Sequence, residues 1–466
     1  MHAFGGALMI LQHLGDTSEA IIANVIAAPE HYLRASSTAV IVLNSAALWG
    51  LGWGVWRAFG NLVPALALQL APFMSSLVLK HGYLPKPEGL LVFSTLMFLL
   101  LSAQALRTKA DSPREKWLAI AFGIAAGFGV ATKLTVAPIY LLPVVLFGRW
   151  RLIGIYAISG AGALLFFLLP LAGAFEEILQ YFAQIAQSSG AYGSGPQNFI
   201  NLDLYPERVV KLLKRPALKI PLILALLTFL VAYFRRSRIS EATRPETRAL
   251  VAVFASQMAQ VLFIAKQPAS FYLIPSYMLS ALTVLLTFRI LWALRPTRWN
   301  FRISGGQLAL TLILIFSVAQ IFSITKRGNE LKQTHQTAEA FDERPFSRCT
   351  RIYNYAASAP VAALLLADKL SGHRFSKQLA VQYPGNIYWI DDWYTYLTPT
   401  LRNWAGEQSF DDVRTSSQCI LFRGHRPNGI DGYLRKTAPD LKYDATCSAP
   451  PENIYVVGAD CNGNPK

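Results

Sequence analysis

The chain has 466 residues, 53% of them hydrophobic and only 15% charged, with 43 Lys and Arg against 27 Asp and Glu for a net charge of +16. A soluble domain carries about 25% charged residues, so the composition excludes an ordinary soluble fold and points to a membrane protein. The positive charge does not call for nucleic acid, because much of the Lys and Arg falls in short loops between apolar runs, where membrane topology accounts for it.

Residues 1–33 come before the first long apolar run. MHAFGGALMILQHLG is too short and too rich in glycine to span a bilayer, and it lacks the basic start of a signal peptide. His2, His13 and His31 lie at spacings unlike those of a metal site. The carboxylates here are Asp16, Glu19 and Glu30, and Asp16 in HLGDTSEA reads as a helix N-terminal cap.

A bilayer core takes roughly 20 apolar residues per helix. Ten spans are expected, at about 37–57, 62–81, 88–106, 117–132, 134–148, 152–174, 217–234, 249–265, 270–292 and 306–325. Four loops are basic: RTKADSPREK (107–116), GRWR (148–151), RRSRISEATRPETR (235–248) and RPTRWNFR (295–302). All four fall on the cytoplasmic side if the first span runs from outside to inside, and ten alternating spans allow that in one way only. Both termini are then outside. Nothing precedes residues 1–33 to carry them across, so either the orientation is wrong or an upstream helix is missing, and a truncated or misassigned start is the expectation.

Two outer segments stand out. GAYGSGPQN (190–198) reads as a loop that closes over a substrate or as a plain linker; it lacks the GK[ST] ending of a P-loop. In ERVVKLLKRPALK (207–219), Val and Leu alternate with Lys and Arg as in a helix lying on a membrane surface. A surface anchor and a role in ligand binding account for it equally.

Ionisable groups near the apolar core are costly and often functional. Those at expected outer helix ends are Arg34 in HYLRASS, Lys86 and Glu88 in YLPKPEGLLVF, Lys133 in GVATKLTVAP, and Lys266 in AKQPASFYLIPSYML, which also holds Tyr272. Any one lysine here is accounted for by snorkelling to the interface. Several on one side beside apolar helices suit a phosphate on a lipid tail.

Residues 327–340 read as a linker and 341–466 as a small external α/β domain. CTRIYNYAAS (349–358), CILFRG (419–424) and NIYVVGA (453–459) look like strands, and PVAALLLADKLSG (360–372) like a helix stopped by glycine. DDWY (391–394) pairs acids with aromatics, as sugar-binding surfaces do, although a solvated loop is the plainer reading. The four cysteines, Cys349, Cys419, Cys447 and Cys461, are confined to this domain, which suggests two disulfides in an oxidising compartment. Four cysteines allow three pairings. Cys349 with Cys419 and Cys447 with Cys461 are preferred, because the first two each open an expected strand and the last two flank one short stretch. A zinc site without CxxC spacing and free buried cysteines are the alternatives. The expected fold is mainly α: a polytopic transmembrane helical bundle over 34–326 with this small C-terminal domain.

LRASSTAVIVLNSAALWGLGWGVWRAFG, KPEGLLVF, GIAAGFGVATKLTVAPIYLLP and AKQPASFYLIP follow one another in an order and spacing that resembles the GT-C superfamily of integral-membrane glycosyltransferases. Protein O-mannosyltransferases and the lipid A aminoarabinose transferase belong to it. The resemblance covers about residues 30–295. It implies inverting transfer of a hexose or pentose from a polyprenyl-phosphate donor to a lipid, glycan or protein acceptor outside a bacterial inner membrane. It also implies that Lys133 and Lys266 bind the donor phosphate and that Tyr272 lines the same cavity; Arg34 and Glu88 match family positions at the cavity rim or in helix packing, and Lys86 is assigned to the rim with them. Some members use a divalent metal; no metal ligand is assigned here. Two departures are visible. Phe271 stands where the family has an arginine. The family's catalytic acid follows its first helix, which this chain is expected to lack, leaving Asp16 as a weak candidate base. A lipid-linked glycan transporter and an inactive membrane subunit are the rival readings. Against the transporter, no inverted repeat relates the two halves.

Overall fold

The computed structural model describes residues 14–84, 86–188, 197–241, 243–295, 303–354, 364, 368, 372–390, 400–425, 430–449 and 452–465. Two compact units emerge, Ala35–Ile324 and a second that groups residues 14–34 with 325–466. His2, His13 and the DDWY segment lie outside the described residues, as do most of 190–198 and of 360–372.

The second unit contains α1 (Ser18–Ala27), whose N-cap is Thr17, with its hydroxyl accepting from the Ala20 amide at 3.3 Å. The cap expected at Asp16 therefore falls one residue later. Helix α2 (Pro29–Phe59) carries the chain into the first unit and stops at Gly60, whose φ of +63° suits a residue without a Cβ.

The next expected span, 62–81, is not one helix. It is α3 (Leu62–Gln69), a 3-10 turn (Ala71–Met74) and α4 (Ser76–His81). Pro72 lacks an amide hydrogen, and Ser75 is extended with its hydroxyl accepting from the Leu77 amide at 3.3 Å. Helix α5 (Pro87–Ala105) and α6 (Pro113–Thr132) follow. The expected span 134–148 is likewise broken, into a 3-10 segment (Leu134–Leu141) containing Pro138 and the short α7 (Leu142–Phe147). Then come α8 (Trp150–Leu168), α9 (Phe175–Gln187), α10 (Tyr205–Leu213), α11 (Pro216–Phe234), α12 (Arg244–Ala265), α13 (Ile274–Ala293) and α14 (Gly305–Glu339).

Among the described residues, seven helices are long and apolar enough to cross a membrane, against the ten spans expected. Two of the missing three are the proline-broken segments. The third is α6, whose Arg114, Glu115, Lys116 and several glycines lower its hydropathy. The bundle packs around α13, the most enclosed of the seven. Helices α6 and α8 meet backbone to backbone: a Cβ on Gly127 would lie 2.5 Å from the Gly160 carbonyl oxygen, the small-residue contact that membrane helices favour. Gly129 similarly leaves room for the Tyr140 ring. The expected linker 327–340 continues α14 as far as Glu339, because no proline interrupts it.

A seven-stranded sheet forms the second unit's core, in the order β4-β3-β2-β1-β5-β7-β6. The strands are β1 (Thr350–Tyr353), β2 (Ile387–Ile390), β3 (Thr400–Asn403), β4 (Gly406–Ser409), β5 (Ile420–His425), β6 (Ala445–Ala449) and β7 (Glu452–Val457). β1 runs parallel to β2 and β5, and the remaining pairs are antiparallel. Ile352, Phe410, Phe422 and Tyr433 pack in one cluster, and Phe346, Leu421, Ile454 and Val456 in another. Cys349 is bonded to Cys419 and Cys447 to Cys461. Arg423 on β5 is buried and paired, at 2.6 Å each, with Glu343 and Glu452, which meets the requirement that a buried charge be compensated.

Candidate functional site

Pro87 opens α5, where its missing amide hydrogen costs nothing, and Glu88 follows in the first turn, where the helix dipole favours an acid. Lys133 ends α6 in extended backbone, with its amide donating to the Gly129 carbonyl at 2.9 Å. These two helix ends meet, and the Lys133 ammonium is ion-paired with the Glu88 carboxylate. The side chain of Glu88 is 5% exposed and that of Lys133 20%, so neither charge is fully solvated.

The ammonium also faces two aromatic rings. Lys133 Nζ lies 4.2 Å from the ring centre of Tyr272 and 5.2 Å from that of Phe271, within the range of cation–π attraction. Both rings come from the 3-10 turn Ser270–Leu273 before α13 and meet edge to face at 4.5 Å. His81, the last residue of α4, packs on Phe271 with ring centres 5.4 Å apart. Asn44 on α2 clamps this wall. Its amide donates to the carbonyls of Gly82 at 2.9 Å and Gly89 at 3.0 Å, next to His81 and Glu88. The Nδ1 atom of His81 is buried without a hydrogen-bond partner among the described residues, a situation that typically costs about 1–3 kcal/mol.

Tyr272 is held from below by a buried polar layer. Gln260 on α12 donates to the Tyr272 carbonyl at 3.1 Å and accepts from the Ser276 hydroxyl at 2.5 Å. One turn away, Gln257 donates to the Ser276 carbonyl at 2.8 Å and accepts from Thr283 at 3.0 Å. The sequence reading missed this layer, as it missed His81 and Asn44. The available signal was polar side chains, two of them glutamines three apart, inside otherwise apolar runs.

Lys266 does not join Lys133. Its ammonium donates to the carbonyls of Ile185 and Ala186, at 2.8 Å each, and lies 4.5 Å from the Phe199 ring centre. It thus caps the C-terminal end of α9, the negative end of the helix dipole. The basic helix α10 packs beside it: Arg208 donates to the Lys266 carbonyl at 2.7 Å, and Tyr205 to the Leu262 carbonyl at 2.8 Å. Lys86 is exposed at the N-cap of α5. Arg34 and Asp16 belong to the second unit, Asp16 just before α1.

An apolar cavity of about 770 Å³ lies among α2, α5, α6 and Phe167 of α8; neither Glu88 nor Lys133 lines it. Its wall includes Leu90, two residues beyond Glu88, and Thr132, next to Lys133; it continues along α5 through Phe93 and Met97 to Leu101. At 1.5 Å per residue the run from Leu90 to Leu101 is about 16 Å long. Ser94 and Thr132 are the polar residues in the lining. A second cavity, of about 700 Å³, lies among the basic loops, where Arg149 is paired with both Asp111 and Glu115.

An ammonium one residue from the lining of an apolar groove is chemically suited to a phosphate that carries a hydrocarbon chain. The carboxylate at Lys133 is already engaged by it, and no group of three or more His, Cys, Asp and Glu side chains gathers among the described residues. Residues 21–264, a little over half the chain, match the family model for Glycosyltransferase family 87. Comparison with curated proteins and with solved structures gave no match.

Proposed function

Since the chain belongs to glycosyltransferase family 87, and is thus a multi-pass membrane glycosyltransferase of the GT-C type, we propose that its donor is a sugar on a polyprenyl phosphate. What supports this reading is the partly buried Lys133 ammonium at the end of α6, one residue beyond Thr132, which lines the apolar groove. The phosphate binds at Lys133 and the first part of the tail lies along α5. Tyr272 shapes the floor against which the ammonium rests.

The Glu88 carboxylate pairs with Lys133 and holds its side chain in place. An arriving donor phosphate, a phosphodiester with one negative charge, binds the same ammonium beside the Glu88 carboxylate, which stays paired with Lys133. The acceptor's hydroxyl oxygen then bonds to the anomeric carbon from the face opposite the phosphate, so the configuration inverts. A carboxylate base takes the hydroxyl proton, and the electron pair of the breaking carbon–oxygen bond stays on the phosphate. Lys133 holds the charge that collects there. The acceptor is a lipid, glycan or protein on the outer side of a bacterial inner membrane, the side expected for these helix ends if the ten apolar runs alternate. Family membership favours this reading over a transporter.

The test is transfer by the purified protein in lipid vesicles, using a radiolabelled polyprenyl-phosphate sugar and an extract of envelope acceptors. Label should move to acceptor with the wild type and not with Lys133→Ala. Equal transfer by both would refute the role of Lys133. No transfer by a folded wild type across a panel of such donors would favour an inactive subunit.

A further inference from the structure

The site holds a nitrogen that the reading above leaves without a task. His81 Nδ1 has no partner among the described residues and is shut off from solvent. Its ring and the Lys133 ammonium approach the same aromatic ring, Phe271, to 5.4 Å and 5.2 Å. The charged groups whose fields reach the imidazole are Glu88, Lys80, Lys86 and Lys133. Three of the four are cations, and the Glu88 carboxylate is already engaged by Lys133. Such surroundings suit a ligand that brings negative charge.

We propose that His81 is a second ligand of the donor phosphate, donating a ring N–H to a phosphate oxygen beside Lys133. The inference rests on the polyprenyl-phosphate reading. A lysine is a point charge on a flexible stem and gives a phosphate little direction. An imidazole N–H is a directed donor, and a protonated ring adds charge as well. The torsion about the histidine Cβ–Cγ bond is broad and roughly two-fold, so a ring turn carries Nδ1 from its covered position to the site. During transfer the acceptor oxygen bonds to the anomeric carbon, and the carbon–oxygen bond to phosphate breaks. The acceptor's proton goes to the carboxylate base, and the electron pair stays on the phosphate oxygen that His81 and Lys133 share. His81 acts on the leaving group and takes no proton from the acceptor.

The sign of the pH dependence separates these two roles. A ligand that works as imidazolium loses strength as pH rises through the histidine range, whereas a general base gains it. The experiment uses the full chain in lipid nanodiscs, with decaprenyl monophosphate as the binding probe, inorganic phosphate as a headgroup-only arm, and transfer as a second readout. His81→Asn keeps an N–H near the Nδ1 position and His81→Phe removes it. The expected result is decaprenyl phosphate binding weakened by about tenfold with His81→Phe and by no more than about threefold with His81→Asn, at unchanged melting temperature. Wild-type affinity should fall, as pH rises through the histidine range, more steeply than that of His81→Asn, since the phosphate's own ionisation is common to both. Unchanged binding by His81→Phe, or turnover that rises across this range in the wild type alone, would overturn the proposal. If Lys133→Ala loses the probe and His81→Phe keeps it, only the role of His81 fails. If Lys133→Ala binds the probe as the wild type does, the donor reading fails and takes this one with it.

Discussion

Lys133 and Glu88, separated by 45 positions in the chain, form an ion pair between the end of α6 and the start of α5. The Glu88 carboxylate is largely removed from water, and the Lys133 ammonium faces the rings of Phe271 and Tyr272. The pair's two members depend on each other, because either one alone is a poorly solvated charge. Replacing Glu88 with Leu should therefore destabilise the protein by about 3 kcal/mol. The double variant Glu88→Leu/Lys133→Met should recover most of that loss while remaining unable to bind a phosphate. Thermal unfolding in detergent measures the first effect and donor binding the second. A double variant no more stable than the single one would contradict the coupling.

Lys266 and Lys133 should behave differently on substitution, although the family resemblance gives both the same task. Lys133→Ala should slow transfer by a hundredfold or more, roughly what loss of one charge-stabilising donor costs. Lys266→Ala removes the cap on α9 and should slow transfer by less than about tenfold, with faster proteolysis within 175–187. Matched losses of transfer and of phosphate binding in both variants would restore the shared role.

Bulk placed in the groove should tell long donors from short ones. Met97→Trp fills the cavity midway along α5. It should raise KM for a donor with a long polyprenyl tail and leave a donor with a tail of one or two isoprene units nearly unaffected. Equal effects on both would mean that the tail lies elsewhere.

The Cys349–Cys419 bond closes a separation of 70 residues and fastens β1 to β5. Its replacement by two serines should destabilise the C-terminal unit by about 2–5 kcal/mol. Near-ultraviolet circular dichroism should show that unit melting earlier, with the helical signal of the bundle unchanged at that temperature. A bundle that melts with it would show that the two units unfold together.

Much of this was legible in the residues, for identifiable reasons. Long apolar runs name most of the spanning helices because a bilayer sets one length for all of them. β1, β5 and β7 were visible from their β-branched and aromatic residues, whereas β4, GEQS, carries none. Averaged hydropathy concealed the breaks at Pro72, Ser75 and Pro138, since a broken segment can be as apolar as a whole one. The partners of Lys266 are backbone carbonyls some 80 positions away, and a carbonyl has no sequence signature. His81 was absorbed into an expected span. Its contact with Phe271 joins positions that no local pattern relates.

The enclosed position of α13 has a consequence for how the protein is made. Ribosomes release chains from the N-terminus, so α2 to α12 leave the ribosome before the helix around which they pack. Until residue 293 has been synthesised, the faces that will enclose α13 meet only lipid or one another. Within α13 the buried hydroxyls of Ser280 and Thr283 bond back to carbonyls of the same helix, whereas that of Ser276 reaches Gln260 only when α13 docks. Assembly of the bundle is thus a late event, and a chain cut short before α13 would have membrane helices without a centre.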